Sequence, residues 1–460
     1  MIEKIINEIP DYKEFLTTDE MDANSLKLAK DHPDVVSVKS LGKSRKGHDV
    51  YCLTIGKGSK NVLMFGCPHP NEPMGAMMLE YLSKKLAEDD EFRQSFDFTW
   101  HLIKSIDIDG TKLNEGWFKG DLTLTKYARN FFRPAGYEQV EWTYPFDYKG
   151  YIFDQPLPET KMLMKLMDDL RPEFVYSLHN AGFGGTYWYI SKELKSLWEP
   201  FYKSSEKQDI PLHLGEPEVN YITPFAPAIY PMINSKDTYD YYESLGEKDV
   251  ADLMGTIGTS TDGYLEGQGI NSTVLVTELP YFFEERIASD KVLDKTRKEA
   301  FIEGLDYGYK QMKEIDRMLE NVKTYFSEDN PFYKMVEVSV EYSEKGYTPS
   351  KKFVEKDPEY QKLCKESEDF DSNLVRRFYM LLSWGLALRS CEHELEKQPE
   401  GKEKQALLEA KKTVEAAFNE RAEEVEDLIH YQVIPIKKLV SIQLECGLLL
   451  MKELQEGEAK

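Results

Sequence analysis

Over residues 1–330, short apolar runs alternate with longer stretches in which apolar residues recur with a helical period. Apolar runs bounded by Gly, Pro or charged residues are typical of strands that are covered on both faces. The runs lie at 62–65, 174–178 and 273–279. Helical periods follow at 73–82, 158–169 and 285–326. Strands that alternate with helices predict an α/β fold with a mixed, mostly parallel central sheet flanked by helices.

Strict alternation of apolar and polar positions indicates further strands near the amino terminus. Residues 35–38 and 48–55 alternate in this way on either side of a Gly- and Lys-rich loop, which predicts a hairpin that joins the sheet. Another strand is expected over 96–108, ending in an Asp-Gly turn signal. Residues 110–153 have no clean period, and a long irregular segment inside a compact domain is usually functional.

The pattern changes after the Asp-Asn-Pro sequence at 329–331. Helical periods dominate the rest of the chain, at 357–370, 371–397, 402–432 and 436–456. We therefore expect an α/β region over 1–328 and an all-α C-terminal extension over 329–460. Helices with one apolar stripe must bury it, so this extension is expected to pack over the first region or to form a homo-oligomer contact.

The composition restricts the partners and the compartment. With 460 residues, of which 41% are hydrophobic, the chain can bury a sizeable core. Its net charge of −24 disfavours nucleic acid and anionic membranes as partners, although high acidity is also common among soluble proteins. No stretch approaches the about 18 apolar residues of a membrane span, and no export signal is recognised at the start. The five Cys lack metal-ligand spacing, so a reducing, cytoplasmic location is expected.

Four side chains with metal or proton chemistry stand where the three apolar runs end. His69 and Glu72 follow the first run on a Pro-flanked loop. His179 follows the second run, and Glu278 lies in the third. Two histidines and a carboxylate form the open zinc site of hydrolases, and a further glutamate can serve as the base. Each alone has a structural interpretation, such as a salt bridge from Glu278 to Arg286, but together they predict a metal site.

The order of these residues resembles the zinc metallocarboxypeptidases of the carboxypeptidase A type. The residues that carry the resemblance are Gly42-Lys43-Ser44, Gly47, His69, Glu72, Asp109-Gly110, Arg129-Asn130-Phe131, His179 and Glu278. The resemblance spans roughly residues 35–290 and implies a mixed eight-stranded sheet in a catalytic domain over 1–328. It implies a Zn²⁺ ion bound by His69, Glu72 and His179. Glu278 would then act as general base in the hydrolysis of a C-terminal peptide bond.

The chain departs from the family pattern around the substrate. Ala128 stands where the family usually has an asparagine, but Arg129 remains the residue expected to hold a substrate carboxylate, because guanidinium binds carboxylate bidentately. Arg133 is a nearby substitute, and either arginine could instead be a surface charge. By the same resemblance Asp262 lines the specificity pocket, although an Asp-Gly pair could equally form a turn. No arginine between residue 110 and Arg129 matches the family's oxyanion-stabilising arginine.

Two other functions remain open at this point. A zinc amidohydrolase that acts on small acylated amino acids or cell-wall peptides would use the same ligands, and it would not need a free C-terminal carboxylate. An inactive scaffold that binds partners through the helical extension is the third interpretation. The intact set of two histidines and two glutamates argues against the scaffold.

Overall fold

A computed structural model describes residues 1–457 of the chain. The strands are β1 Val36–Lys43, β2 Asp49–Ile55, β3 Lys60–Gly66, β4 Phe98–Ile103, β5 Phe146–Tyr148, β6 Tyr151–Phe153, β7 Phe174–Leu178, β8 Tyr187–Ile190, β9 Ile229–Pro231, β10 Thr273–Glu278, β11 Phe282–Phe283, β12 Val292–Thr296, β13 Leu363–Lys365 and β14 Gln432–Val433. The helices are α1 Ile2–Asn7, α2 Thr18–Asp31, α3 Met74–Glu88, α4 Asp90–Gln94, α5 Ile108–Asn114, α6 Leu124–Asn130, α7 Pro158–Leu170, α8 Trp198–Glu206, α9 Ser235–Ser244, α10 Val250–Met254, α11 Thr261–Gly267, α12 Arg297–Leu319, α13 Pro331–Lys356, α14 Glu366–Phe370, α15 Arg376–Glu396, α16 Gly401–Leu428 and α17 Ile436–Glu456.

Eight strands form one sheet in the order β1-β2-β4-β3-β7-β10-β8-β9. The four central strands, β4, β3, β7 and β10, run parallel to one another. The strands β2 and β8 join this parallel centre antiparallel, one on each side. The mixed, mostly parallel sheet predicted from the apolar runs is therefore confirmed, and it has the eight strands that the resemblance implied.

The central strands form because their side chains are buried on both faces of the sheet. Every residue of β7 and β10 is buried, and so are the last five positions of β3. A strand of this kind has no polar face to alternate with its apolar face, which explains the continuous apolar runs in the sequence. Because β3, β7 and β10 are parallel neighbours, their carboxyl ends meet at one edge of the sheet.

Two segments differ from the predicted elements. Residues 285–326 do not form one helix, because a 3-10 turn and β12 precede α12. The strand β12 pairs with β13, which is distant along the chain, and a local pattern does not reveal such a contact. No helix is predicted over α13, since Gly346 and Pro349 interrupt its pattern. The irregular segment 110–153 contains most of α5, α6 and the hairpin of β5 and β6.

The region after residue 329 is helical, as predicted, but it shares the core of the first region. One hydrophobic cluster contains buried residues of the sheet and of α15, α16 and α17. The last helix, α17, passes over β7 at Gly447, where an added Cβ would come within 2.7 Å of the Tyr176 ring. The strand β14 pairs with β11. Within residues 1–457 no helix is long and apolar enough to cross a membrane.

Candidate metal centre

The three parallel strands β3, β7 and β10 bring the predicted site residues to one edge of the sheet. After β3, Cys67 adopts a φ of 51° in the left-handed region, and this turn directs the following loop with His69 across the strand ends. His179 follows β7 directly, and Glu278 is the last residue of β10. The structure therefore brings together the residues that the sequence singled out at separate strand ends.

The Glu72 carboxylate lies between the two histidine rings. Its Oε1 is 3.2 Å from Nδ1 of His69, and its Oε2 is 3.0 Å from Nδ1 of His179. Ligand atoms at about 2.0–2.1 Å from a tetrahedral zinc ion lie about 3.3 Å from one another. The two distances are close to that separation, so the three side chains fit the edges of a tetrahedral metal site.

The surroundings favour an ionised carboxylate at Glu72. Burial alone would raise its pKa, but the facing rings of His69 and His179 hold the pKa well below its usual range. The backbone N–H of Asn180 donates to Oε2 at 3.2 Å, and Nη1 of Arg133 donates to Oε1 at 3.2 Å. Glu72 is therefore a fixed negative charge, which is the state that a metal ligand requires.

The surroundings shift the pKa values of the two histidines in opposite directions. Burial and the adjacent Arg133 guanidinium lower the pKa of His69 to about 4, so its ring is neutral near pH 7 and offers a lone pair. Burial also opposes charge on His179, but the carboxylates of Glu141 and Glu72 outweigh it and raise the pKa of this ring well above its usual value. The ring of His179 thus faces a carboxylate on each side.

Glu141 completes the surroundings of His179, and sequence reasoning missed it. Its Oε2 is 2.5 Å from Nε2 of His179, and its Oε1 accepts a hydrogen bond of 2.7 Å from Thr261 Oγ1. A carboxylate on the outer nitrogen of a ligating histidine fixes the ring and its tautomer. Glu141 lies in the segment without periodicity, and only the length of that irregular segment signalled a function there.

Two sets of side chains at this centre have metal-ligand chemistry. Ligand atoms of His69, Glu141 and His179 lie within 4.8 Å of one another, so this group could hold a metal ion. The alternative set has Glu72 in place of Glu141, with both Nδ1 atoms facing one carboxylate. The spacings of 3.2 and 3.0 Å around Glu72 are those of ligands on a tetrahedral zinc ion, whereas the 2.5 Å between Glu141 and His179 is that of a direct hydrogen bond. Both sets consist of two histidines and a glutamate.

Glu278 lies beside this centre at the wall of the cleft. Its Oε1 is 3.7 Å from Nδ1 of His179. Burial and the carboxylates of Glu72 and Glu218 raise the pKa of Glu278 well above its usual value, although His179 opposes the shift. A carboxylate with a raised pKa is a stronger proton acceptor, and such groups are typical of general bases in active sites.

The structure places the three predicted substrate-binding residues in different surroundings. Nη2 of Arg133 lies 2.8 Å from Nδ1 of His69, at the metal centre itself. Nη2 of Arg129 lies 2.7 and 2.8 Å from the two oxygens of Glu392, on α15, and Arg129 does not line the cleft. Asp262 lies in the first turn of α11, outside the described cleft lining. The roles of all three in binding substrate stay predictions.

The cleft above the centre is a cavity of about 580 Å³ between the two regions of the chain. The metal centre and the segment 213–218 form one part of its lining. The helical extension forms the opposite wall, with Asp371, Arg376, Tyr379 and Leu386 among its contributions. A cavity of this size is within the range of sites that hold small ligands. The extension therefore supplies one wall of the cleft.

Comparisons with known proteins agree with the resemblance of the sequence. The family model "Zinc carboxypeptidase" matches residues 22–248. Solved structures similar to this chain include carboxypeptidase A of Helicoverpa armigera, 16% identical, covering 58% of this chain and 65% of that one with a TM-score of 0.36. A metallo-carboxypeptidase of Burkholderia cenocepacia is 16% identical, covering 58% of this chain and 60% of that one with a TM-score of 0.31.

A curated relative is an uncharacterised protein of Zymomonas mobilis. It is 25% identical over 164 residues, which are 33% of this chain and 37% of that protein. The chain thus spans less than two thirds of the length of each of these three relatives. The match of the family model includes the loop with His69 and Glu72 and the strand end with His179. Residues 22–248, which carry the two histidines and the buried glutamates Glu72 and Glu141 at one sheet edge, match the zinc carboxypeptidase family.

Proposed function

We propose that the protein is a zinc-dependent metallocarboxypeptidase that hydrolyses the C-terminal amide bond of a short peptide. The observation that carries the proposal is the Glu72 carboxylate, which faces Nδ1 of both histidines at 3.2 and 3.0 Å. His69, Glu72 and His179 would hold the zinc ion, and Glu141 would orient His179 from the outer side. Three protein ligands leave a further coordination position open, as hydrolysis requires.

The zinc ion, when bound, polarises the scissile carbonyl and lowers the pKa of a bound water to about 7. The side chains of the protein transfer the protons. Glu278 takes the proton of the attacking water at Oε1 and returns it to the leaving amine. Its buried position raises its pKa, which favours the first transfer. Charges interact more strongly in the low dielectric of a cleft than in water, which strengthens the interaction of the Glu278 carboxylate with the charges around it.

Arg133 is the cation nearest to the reacting groups. Its guanidinium contacts Glu72 at 3.2 Å and His69 at 2.8 Å, so its charge lies beside the position at which an oxyanion develops. Fixed donors at that position stabilise the transition state more than the substrate. We assign Arg133 to the binding of the scissile carbonyl, a role for which the sequence offers no arginine between residue 110 and Arg129.

A second candidate is a zinc amidohydrolase for small acylated amino acids or cell-wall peptides. The observation that favours it is the wall formed by the helical extension, because this wall bounds a cleft of about 580 Å³. A cavity of that size suits a small ligand better than a long peptide. Both candidates use the same metal ligands and the same base, and they differ in the substrate.

The test is a hydrolysis assay over a panel of acylated amino acids, dipeptides and longer peptides, combined with metal analysis of the purified protein. We expect about one equivalent of zinc and activity that a chelator abolishes and added zinc restores. Release of a C-terminal residue from short free-acid peptides supports the carboxypeptidase, and cleavage of acylated amino acids alone supports the amidohydrolase. A zinc-loaded protein that cleaves none of these compounds contradicts both candidates.

A further inference from the structure

Arg129, the arginine expected to hold a substrate carboxylate, already has a carboxylate partner in the chain. Nη2 of Arg129 lies within hydrogen-bond distance of both oxygens of Glu392. Lys411 lies 3.0 Å from the same carboxylate, so Glu392 is held between two cations of different elements. The helix α15 approaches α6 closely here, since a Cβ at Gly385 would come within 2.1 Å of the Ala128 carbonyl oxygen. This packing keeps Arg129 outside the cleft.

The cleft contains two arginines, and only one of them has a carboxylate partner. Arg133 is paired with Glu72. The side chain of Arg376, the first residue of α15, makes no hydrogen bond or ion pair with any residue of the described part of the chain, 1–457, and its Nε is buried without a partner. Burial lowers the pKa of Arg376, although the charges of Asp371 and Glu216 oppose the shift.

The acidic side chains nearest to Arg376 are engaged elsewhere. Glu216 accepts hydrogen bonds of 2.7 and 2.6 Å from Arg297. Asp371 accepts one of 2.8 Å from the backbone N–H of Glu216 and lies 3.3 Å from His213. A buried guanidinium N–H without a hydrogen-bond partner is costly, and the cost falls when an anion accepts a hydrogen bond from it. The free cation on the cleft wall therefore points to an anionic group of the ligand.

The structure also makes room for this side chain. Two glycines of α12 lie under it: a Cβ at Gly304 would be 3.3 Å from Nε of Arg376, and a Cβ at Gly308 would be 3.6 Å from its Cδ. The next residue, Arg377, behaves differently, because it pairs with Glu424 and lies 4.2 Å over the Tyr307 ring. Of these two adjacent arginines, only Arg376 lines the cavity.

We propose that Arg376 binds a carboxylate of the substrate, so that the helical extension supplies part of the substrate site. This inference rests on the proposed function, since the cleft and its reaction are the same. Guanidinium binds carboxylate through two parallel hydrogen bonds, which fixes the orientation of the ligand. The carboxylate can come from the C-terminus of a peptide or from an acidic side chain next to the scissile bond.

The test compares Arg376→Gln with Arg377→Gln, a matched change of charge one residue along the same helix and outside the cleft. Each variant is assayed with peptides in pairs, a free acid against its C-terminal amide and a Glu side chain against Gln. We expect Arg376→Gln to raise KM for the free acid about 10- to 100-fold, with kcat and zinc content nearly unchanged. Arg376→Lys should restore part of the affinity, and Arg377→Gln should behave as wild type.

Calorimetric titration of the same peptide pairs into zinc-loaded Glu278→Gln protein, with and without Arg376→Gln, separates this inference from the proposed function, because no turnover is needed. A preference for the free acid that disappears with Arg376 supports the inference even if no peptide is cleaved. A preference only for Glu over Gln side chains also supports it and identifies the side chain as the source. Equal losses for acid and amide, unchanged affinity in Arg376→Gln, or no acid preference in the wild type would overturn it.

Discussion

Nε2 of Gln443 donates a hydrogen bond of 3.2 Å to the backbone carbonyl of His179, which joins the last helix of the chain to a residue of the candidate metal centre. The backbone carbonyl of Gln443 accepts a hydrogen bond of 2.8 Å from the Tyr176 hydroxyl in β7. Gln443 is fully buried in α17. The helical extension is thus part of the support for the strand end that carries His179, even though the sequence suggested a separable region.

The first prediction concerns this contact. Gln443→Ala should lower the free energy of unfolding by about 1–3 kcal/mol, because the His179 carbonyl loses its hydrogen-bond donor and a cavity forms where the side chain was. Lys452→Ala, on the exposed side of the same helix, should change it by less than about 0.5 kcal/mol. Truncation after residue 328 should prevent folding, because it removes α17 from the sheet. Denaturant unfolding and circular dichroism measure these effects, and a stable, zinc-binding truncate would contradict them.

The second prediction distinguishes the two ligand sets. Glu72→Gln, His69→Ala and His179→Ala should each reduce bound zinc well below one equivalent, because two protein ligands do not hold the ion firmly. Glu141→Gln should keep the ion and weaken its affinity by about 10- to 100-fold, as expected for a group that only orients His179. Metal analysis after dialysis gives the answer. Full occupancy in Glu72→Gln with loss in Glu141→Gln would assign the third ligand to Glu141.

The third prediction concerns His101, a buried residue of β4 that takes no part in the proposed chemistry. Its ring contacts only neutral groups by hydrogen bonds, Asn61 at 3.0 Å and Thr54 at 3.3 Å. Burial lowers its pKa from 6.5 to about 4. Between pH 6.5 and pH 4 the His101 ring is protonated in the unfolded chain but neutral in the folded chain. Protonation therefore favours the unfolded chain, and the free energy of unfolding, which is unaffected above pH 6.5, decreases as the pH falls towards 4.

From that shift, His101 should cost the protein about 2–3 kcal/mol of stability between pH 7 and pH 4. Denaturant unfolding at both pH values should show a smaller loss in His101→Gln than in the wild type. The same substitution at the exposed His430 is the control and should leave the loss unchanged. Identical losses in His101→Gln and the wild type would mean that His101 is protonated in the folded state.

Part of the site could be predicted from local sequence patterns alone. The strands β3, β7 and β10 are buried on both faces, so each appears in the sequence as an apolar run that a short window detects. His179 follows such a run directly and His69 follows one after a short turn, and residues at the ends of parallel neighbours lie at one edge of the sheet. The same argument gave Glu278. These residues needed no knowledge of distant contacts.

The rest of the site depends on contacts between distant parts of the chain. Glu141 reaches His179 from an irregular segment, and no spacing in the sequence signals that approach. Arg129 fits the family pattern, but its partner Glu392 belongs to a helix that no local pattern places beside it. Arg376 lines the cleft at the start of α15, and the sequence around it gives no sign of that position. Tertiary packing decides such positions, and one sequence does not reveal it.

The last prediction tests the general base. Glu278→Gln keeps the size of the side chain and removes its ability to accept a proton, so turnover should fall by about two to four orders of magnitude. Zinc content and the affinity for short free-acid peptides should remain close to wild type, since Glu278 is not among the proposed ligands. Glu218→Gln, another carboxylate of the cleft lining, is the matched control and should reduce turnover far less. Metal analysis, calorimetry and steady-state kinetics measure these quantities. Wild-type turnover in Glu278→Gln, or an equal loss in both variants, would show that another group takes the proton of the attacking water.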